Sequence, residues 1–191
     1  LGEMMRIIRA HGWVRETKKP QKYLDKYPDI DPRFLFVNLG YNLRLTEIQG
    51  AMGSVQLPKL KGFVESRRNS AQIMITGLSK YKSVIQFQEE TPKGMHSWFG
   101  FPIIVSKKAL FSTSDLRQYL ELNGIETRPI ICGNIALQPA VKMYKHRVYG
   151  RLENASHVMK NGLAVACHQS LDENACQHIV NTISSFIDSY L

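Results

Sequence analysis

The chain has 191 residues, enough for one domain or for one domain with a substantial extra segment. An apolar content of 43% without low-complexity stretches excludes a disordered chain, and the most apolar run, Trp98–Val105, is broken by Gly100 and Pro102 and is too short to span a bilayer. Lys and Arg number 25 against 16 Asp and Glu, a net charge of +9, and three cysteines in no dense pattern favour a reducing, cytoplasmic setting.

Met4, Met5, Ile7 and Ile8 alternate with charges at helical spacing, so residues 2–10 read as the end of an amphipathic helix closed near Gly12. The opening residues do not read as a secretion signal. A first residue that is Leu, already inside a helical pattern, leads to the expectation that the chain begins within something larger. The first 68 residues hold 13 cations and 7 acids, with Arg6, Arg9, Arg15, Lys18, Lys19 and Lys22 the densest group. Such a field attracts nucleic acid, acidic headgroups or a phosphorylated small molecule alike. At its centre, His11-Gly12-Trp13-Val14-Arg15 joins a ring that transfers protons near neutral pH to a guanidinium that binds phosphate in bidentate fashion. The plainer reading is an exposed basic loop.

Trp13 to Pro32 is polar and punctuated by Pro20, Pro28 and Pro32, which predicts a long exposed loop. Phe34–Val37 reads as a short strand. The stretch that follows carries Asn42 and Arg44 into a helix opened by Thr46 and Gln49, the pattern of a capping box. Gly50, Ala51, Gly53 and Ser54 give that helix a smooth side which lets another backbone come close. An amide and a guanidinium beside a close-packing helix point to an anion or cofactor phosphate near a subunit contact; solvated polar residues at a turn are the alternative. The helical pattern runs to Lys80, with Ile48, Met52, Val55, Leu60, Phe63 and Val64 as its buried stripe and Pro58 as a kink or break.

Beyond Tyr81, Val84–Gln88 and Ser97–Val105 read as strands. Ser114 is placed to cap a helix over Asp115–Asn123 that stops at Gly124. Ile125–Ile131 reads as a strand, Leu152–Asn161 as a helix and Leu163–Cys167 as a strand. Ser170 and Glu173 open the last helix, whose Ile179, Val180, Ile183, Phe186 and Ile187 share one face. The expected class is α+β: a helical arm with a long kinked helix over residues 1–80, then a small domain, 81–191, with a mainly antiparallel sheet packed by helices.

Arg128 lies inside an apolar strand, where an unpaired buried cation is expensive, so it takes a partner, a ligand or an exposed edge. Cys167-His168 and Cys176-Gln177-His178 match no usual zinc spacing, and no metal site is expected. His168 ends a strand, where contact with a ligand stays open. The basic residues are spread out without a nucleic-acid reading motif, so no nucleic-acid partner is expected, and no membrane partner either.

Taken together, Arg9-Ala10-His11-Gly12-Trp13, Gly40-Tyr41-Asn42-Leu43-Arg44-Leu45-Thr46-Glu47-Ile48-Gln49, Gln56-Leu57-Pro58-Lys59-Leu60, Gly124-Ile125-Glu126-Thr127-Arg128-Pro129, Gly133-Asn134 and Gln138-Pro139-Ala140 resemble the C-terminal half of the DegT/DnrJ family of pyridoxal-phosphate enzymes. That family makes amino and deoxy sugars for surface polysaccharides, and the resemblance extends to its 4-keto-6-deoxyhexose 3-dehydratases as well as its aminotransferases. It implies that Asn42 reaches the cofactor phosphate of a partner subunit in a homodimer. It also implies that His11, Arg15 and Arg44 line the nucleotide-sugar pocket, with Arg128, Asn134 and His168 approaching from the small domain.

The family's cofactor-anchoring lysine (histidine in the 3-dehydratases), its ring-stacking aromatic and its pyridine-nitrogen acid fall before the segment matching Leu1–Met5. Without them the electron-sink chemistry has no anchor. The expectation is therefore no catalytic residue and no pyridoxal phosphate bound to this chain alone. A stand-alone dimerisation or interaction module without catalysis is the alternative.

Overall fold

The computed structural model describes residues 1–191, apart from the side chain of Glu16, and the chain divides into two compact units, Leu1–Pro58 and Lys59–Leu191. The division falls at Pro58 rather than at the expected 80/81. The helix that follows Pro58 buries Ser70, Ala71 and Met74 and belongs to the C-terminal core.

In the first unit, α1 (Gly2–Arg9) has Glu3 in its first turn and Arg6 and Arg9 in its last, charges that suit the helix dipole. The chain then turns through His11 and Gly12, at φ 61° and 87°, with the Gly12 N–H donating to the Ile7 carbonyl at 2.8 Å. The expected long loop is punctuated by a 3-10 turn, Val14–Glu16, and by a short helix, α2 (Gln21–Leu24), and it buries Val14 and Thr17. No strand forms at 34–37. A turn over Pro32–Phe34, capped by Asp31, leads instead to a single bridge between Trp13 and Phe36. Helix α3 (Glu47–Gln56) starts at Thr46, and both halves of the expected capping box form.

The stripe expected to be buried on α3 is not. Ile48, Met52 and Val55 are 75%, 65% and 62% exposed. Amphipathic spacing marks a face as apolar without saying what covers it, and among the described residues these three stay exposed. A Cβ built on Gly50 or Gly53 would meet no atom within 4 Å, so the smooth side is open as well.

A 3-10 turn at Leu57–Lys59 spans the boundary and leads into α4 (Leu60–Gly77), the break that Pro58 dictates by lacking an N–H. There follow β1 (Ile85–Phe87), β2 (Phe101–Val105), α5 (Thr113–Leu122), β3 (Thr127–Arg128), α6 (Pro139–Lys142), α7 (Glu153–Asn161), β4 (Gly162–Val165) and α8 (Glu173–Asp188). The sheet order is β1-β2-β4-β3, and every pairing is antiparallel. Phe101, Ile103 and Val105 alternate inward along β2, and with Met74, Leu116, Leu163 and Ile183 they form one core beneath the helices.

The α+β class is as expected, with local differences. The 125–131 strand shrinks to two residues because Pro129 cannot donate to a ladder. Ser112, not Ser114, caps α5, reciprocally with Asp115. Asp172 caps α8 in place of Ser170, accepting the Ala175 N–H at 2.7 Å. Among the described residues no helix is long and apolar enough to cross a membrane.

Candidate functional site

Two backbone segments carry the polar residues of the first unit, and they are stitched together. Tyr41 N–H donates to the Ile8 carbonyl at 2.7 Å, His11 N–H to Tyr41 at 2.9 Å and Leu43 N–H to Arg9 at 2.9 Å, while Ala10 and Asn42 pair as a bridge. Two glycines make this possible. A Cβ on Gly40 would lie 2.2 Å from the Gly12 nitrogen, and one on Gly12 would lie 1.7 Å from the Asn38 oxygen. The crossing thus brings the His11 and Asn42 segments together, with Arg44 two residues further along the chain, all three exposed.

Arg15 belongs to a different feature. Its guanidinium lies 5.1 Å from the centroid of the Trp13 ring, a cation–π contact. Trp13 also stacks on Phe34 and Phe36, at 6.1 and 5.6 Å between centroids, and donates Nε1–H to the Arg33 carbonyl at 2.7 Å. Trp13, Arg15 and Phe34, with Pro32 and Arg33, line a cavity of about 480 Å³. Arg33 is paired with Asp31, which holds the Asp31 carboxyl below its usual range. Arg15 was legible in the sequence. The aromatic shelf under it was not, because its members come from segments some twenty residues apart with no shared period.

In the second unit, Pro102, Ala164 and Arg128 form a row across β2, β4 and β3, on the face turned away from the core. They line a cavity of about 310 Å³. Arg128 is not buried as a strand interior would bury it: it stands at the sheet edge, 77% exposed, ion-paired with Glu126. His96, Phe99 and Ile131 also line this cavity, and sequence reasoning singled out none of them for a site.

Two residues here sit in the left-handed region without being glycine, Trp98 at φ 51° and Ile131 at φ 47°. Positions of that kind cost about 1–3 kcal/mol each and persist where the surroundings over-determine them. Trp98 is pinned by its N–H donating to His96 Nδ1 at 3.1 Å, by Arg67 donating to its carbonyl at 3.3 Å and by packing on Phe101. Arg68 fixes the same loop from α4, reaching Glu90 and the His96 carbonyl at 2.5 and 2.9 Å. That ion pair, with the His96 N–H, brings the Glu90 carboxyl down to about 2.

The remaining expected residues are engaged locally. Asn134 is 4% exposed, donating Nδ2–H to Ser156 and accepting the Ala136 N–H, so its amide holds a turn. His168 is exposed, and its Nδ1 accepts the Ser170 N–H at 3.2 Å. Burial pushes the Cys167 thiol up to about 11. Among the described residues, no three His, Cys, Asp or Glu side chains gather as metal ligands would.

The model of the DegT/DnrJ/EryC1/StrS aminotransferase family matches residues 1–184, and the chain belongs to that family. Among curated proteins it is 39% identical over 167 residues to the GDP-4-keto-6-deoxy-D-mannose 3-dehydratase of Escherichia coli O55:H7, covering 85% of this chain and 42% of that one. The enzyme of the same name from Yersinia pseudotuberculosis is 37% identical, covering 88% and 43%. The chain thus spans less than half the length of these relatives. A solved E. coli GDP-4-keto-6-deoxy-D-mannose-3-dehydratase with bound hydrated pyridoxal phosphate superimposes with a TM-score of 0.80 at 31% identity, over 95% of this chain and 46% of that one. A mutant of that dehydratase with bound GDP-perosamine gives the same TM-score and identity over 95% and 47%.

The residues present do not make a whole pyridoxal-phosphate site. Asn42 carries an exposed amide, of the kind that can meet a phosphate oxygen, but Arg9, His11, Tyr41 and Arg44 along the same crossing supply neither a lysine amine nor a carboxylate for a ring nitrogen.

Proposed function

We propose that this chain serves as the C-terminal portion of a pyridoxal-phosphate-dependent enzyme that acts on nucleotide-linked 4-keto-6-deoxy sugars in surface-polysaccharide biosynthesis. The observation that carries this reading is the glycine-enabled crossing of residues 8–12 and 40–43, which presents His11, Asn42 and Arg44 in a chain similar to GDP-sugar dehydratases. In this reading Asn42 contacts the cofactor phosphate of a partner subunit. Arg15, on its aromatic shelf, and Arg44 neutralise the diphosphate, and His11 lies close to the sugar. Arg128, released from Glu126, contacts the substrate from the small domain; Asn134 shapes the neighbouring turn, and His168 stands at the rim. The enzyme works as a cytoplasmic homodimer, for which the exposed Ile48, Met52 and Val55 and the open glycines of α3 supply a contact face. On its own the chain binds no pyridoxal phosphate and catalyses nothing.

Calorimetric titration of the chain with GDP-perosamine tests this. Saturable binding is expected, weakened about tenfold or more by Arg15→Ala or Arg128→Ala, the scale of one charge-assisted contact. No heat at millimolar ligand sinks the reading. A yellow species formed with added pyridoxal phosphate, and fixed by borohydride onto a lysine of this chain, contradicts the inactivity claim. The same exposed α3 face favours a second reading, a dimerisation module without catalysis, which keeps self-association and lacks nucleotide-sugar binding.

A further inference from the structure

We infer that the cavity on the outer face of the sheet in Lys59–Leu191 receives the deoxy end of a 6-deoxyhexose, and that Phe99 and Ile131 discriminate its methyl group from a hydroxymethyl group. This rests on the nucleotide-sugar reading above and adds to it the residues that set sugar specificity.

The cavity measures about 310 Å³, the lower end of the range of small-ligand sites and enough for a single hexose. Its floor, Pro102 and Ala164, is apolar and flat, a surface suited to one side of a pyranose ring. Its polar groups are few: Gln88, His96 and the Glu126–Arg128 pair. The His96 ring has its Nδ1 committed to the Trp98 N–H, which leaves Nε2 as the ring's other polar atom. A few groups able to meet hydroxyls within a mostly apolar lining is the pattern of a deoxy sugar.

Two of its apolar walls are set by backbone that departs from the usual rules. Strict alternation back from Phe101 along β2 would turn Phe99 into the core. The left-handed Trp98 breaks that alternation: Trp98 is 4% exposed, while Phe99 stands 87% exposed at the cavity. Ile131 is the second residue of a tight turn closed by the Gly133 N–H to the Ile130 carbonyl at 3.1 Å. At φ 47° that position favours Gly, Asn or Asp, yet it carries a β-branched side chain, 84% exposed. Two disfavoured conformations that hold two large apolar side chains against one cavity indicate a ligand with an apolar edge.

The test compares two probes that differ only at C6, GDP-6-deoxymannose and GDP-mannose, titrated into the chain. The deoxy sugar should bind about ten- to a hundredfold tighter, the range over which an apolar pocket discriminates against one added hydroxyl. Phe99→Ala should bring that ratio toward one while leaving the affinity for GDP itself unchanged. Ile131→Gly is the companion variant: it relieves the positive φ, so the fold is retained or strengthened, yet discrimination should fall. Equal binding of the two sugars by the unaltered chain, or a ratio untouched by both variants, overturns this inference and leaves the nucleotide-sugar reading standing. Failure of GDP and both sugars to bind overturns that reading, and this inference with it.

Discussion

The two units of this chain spend their apolar residues in opposite ways. Lys59–Leu191 collects Met74, Phe101, Leu116, Leu163 and Ile183 into one closed core. In Leu1–Pro58 the buried apolar side chains are Ile7, Ala10, Val14 and Leu35, while Leu39, Leu43, Leu45, Ile48, Met52 and Val55 are each more than 60% exposed. The second unit is stabilised by its own interior. The first has a small interior, is joined by backbone hydrogen bonds at its glycine crossing, and leaves much of its apolar surface exposed. Large exposed apolar patches of this kind mark surfaces used for interaction, whereas a closed core does not.

The largest test of that contrast is a pair of truncations. Phe101→Ala should cost about 3–5 kcal/mol in denaturant unfolding, because it empties a fully buried site. Met52→Ala, 65% exposed, should change the same curve by less than about 0.5 kcal/mol. An equal cost at both positions would break the comparison.

Next in size is Gly40→Ala. Its Cβ would collide with backbone 2.2 Å away, so the crossing should open and the amides of Tyr41 and Leu43 should lose exchange protection. The unfolding midpoint of Lys59–Leu191 should stay where it is.

Caps provide a smaller pair. Asp172→Ala removes the acceptor for the Ala175 N–H on a helix that lies in the core and should cost about 1 kcal/mol. Thr46→Ala should fray α3 in circular dichroism without moving the main transition.

The smallest effect concerns pH. Glu90 is held at about 2, below the ordinary 4.5, so its pairing with Arg68 contributes stability above pH 4.5 that is lost as the pH falls toward 2. Glu90→Gln should flatten that acid limb slightly. A variant that instead loses stability only above pH 7 would show that the pair is not the cause.

Much of the architecture could be read from residues alone. The capping box at Thr46 and Gln49, the break at Pro58 and the α+β class each follow from local chemistry that acts the same in any context. The α3 stripe shows where such reading stops. Spacing gave the apolar face of Ile48, Met52 and Val55 correctly, but burial is a property of what lies opposite, and among the described residues that face is exposed. The same limit applied to the site. Arg15 and Arg128 stood out as cations in unusual company, whereas Phe99 and Ile131 look like ordinary strand residues. Only the positive φ at Trp98 and at Ile131 itself turns them outward, and no residue type announces it.

Hydrogen exchange of the intact chain, followed by mass spectrometry, tests the contrast between the two units most directly. The account predicts that the amides of β2, β4 and α8 exchange slowest, and that those of α3 exchange within seconds, slowing only when a partner covers them. Protection of α3 equal to that of α8 in the monomer would contradict it.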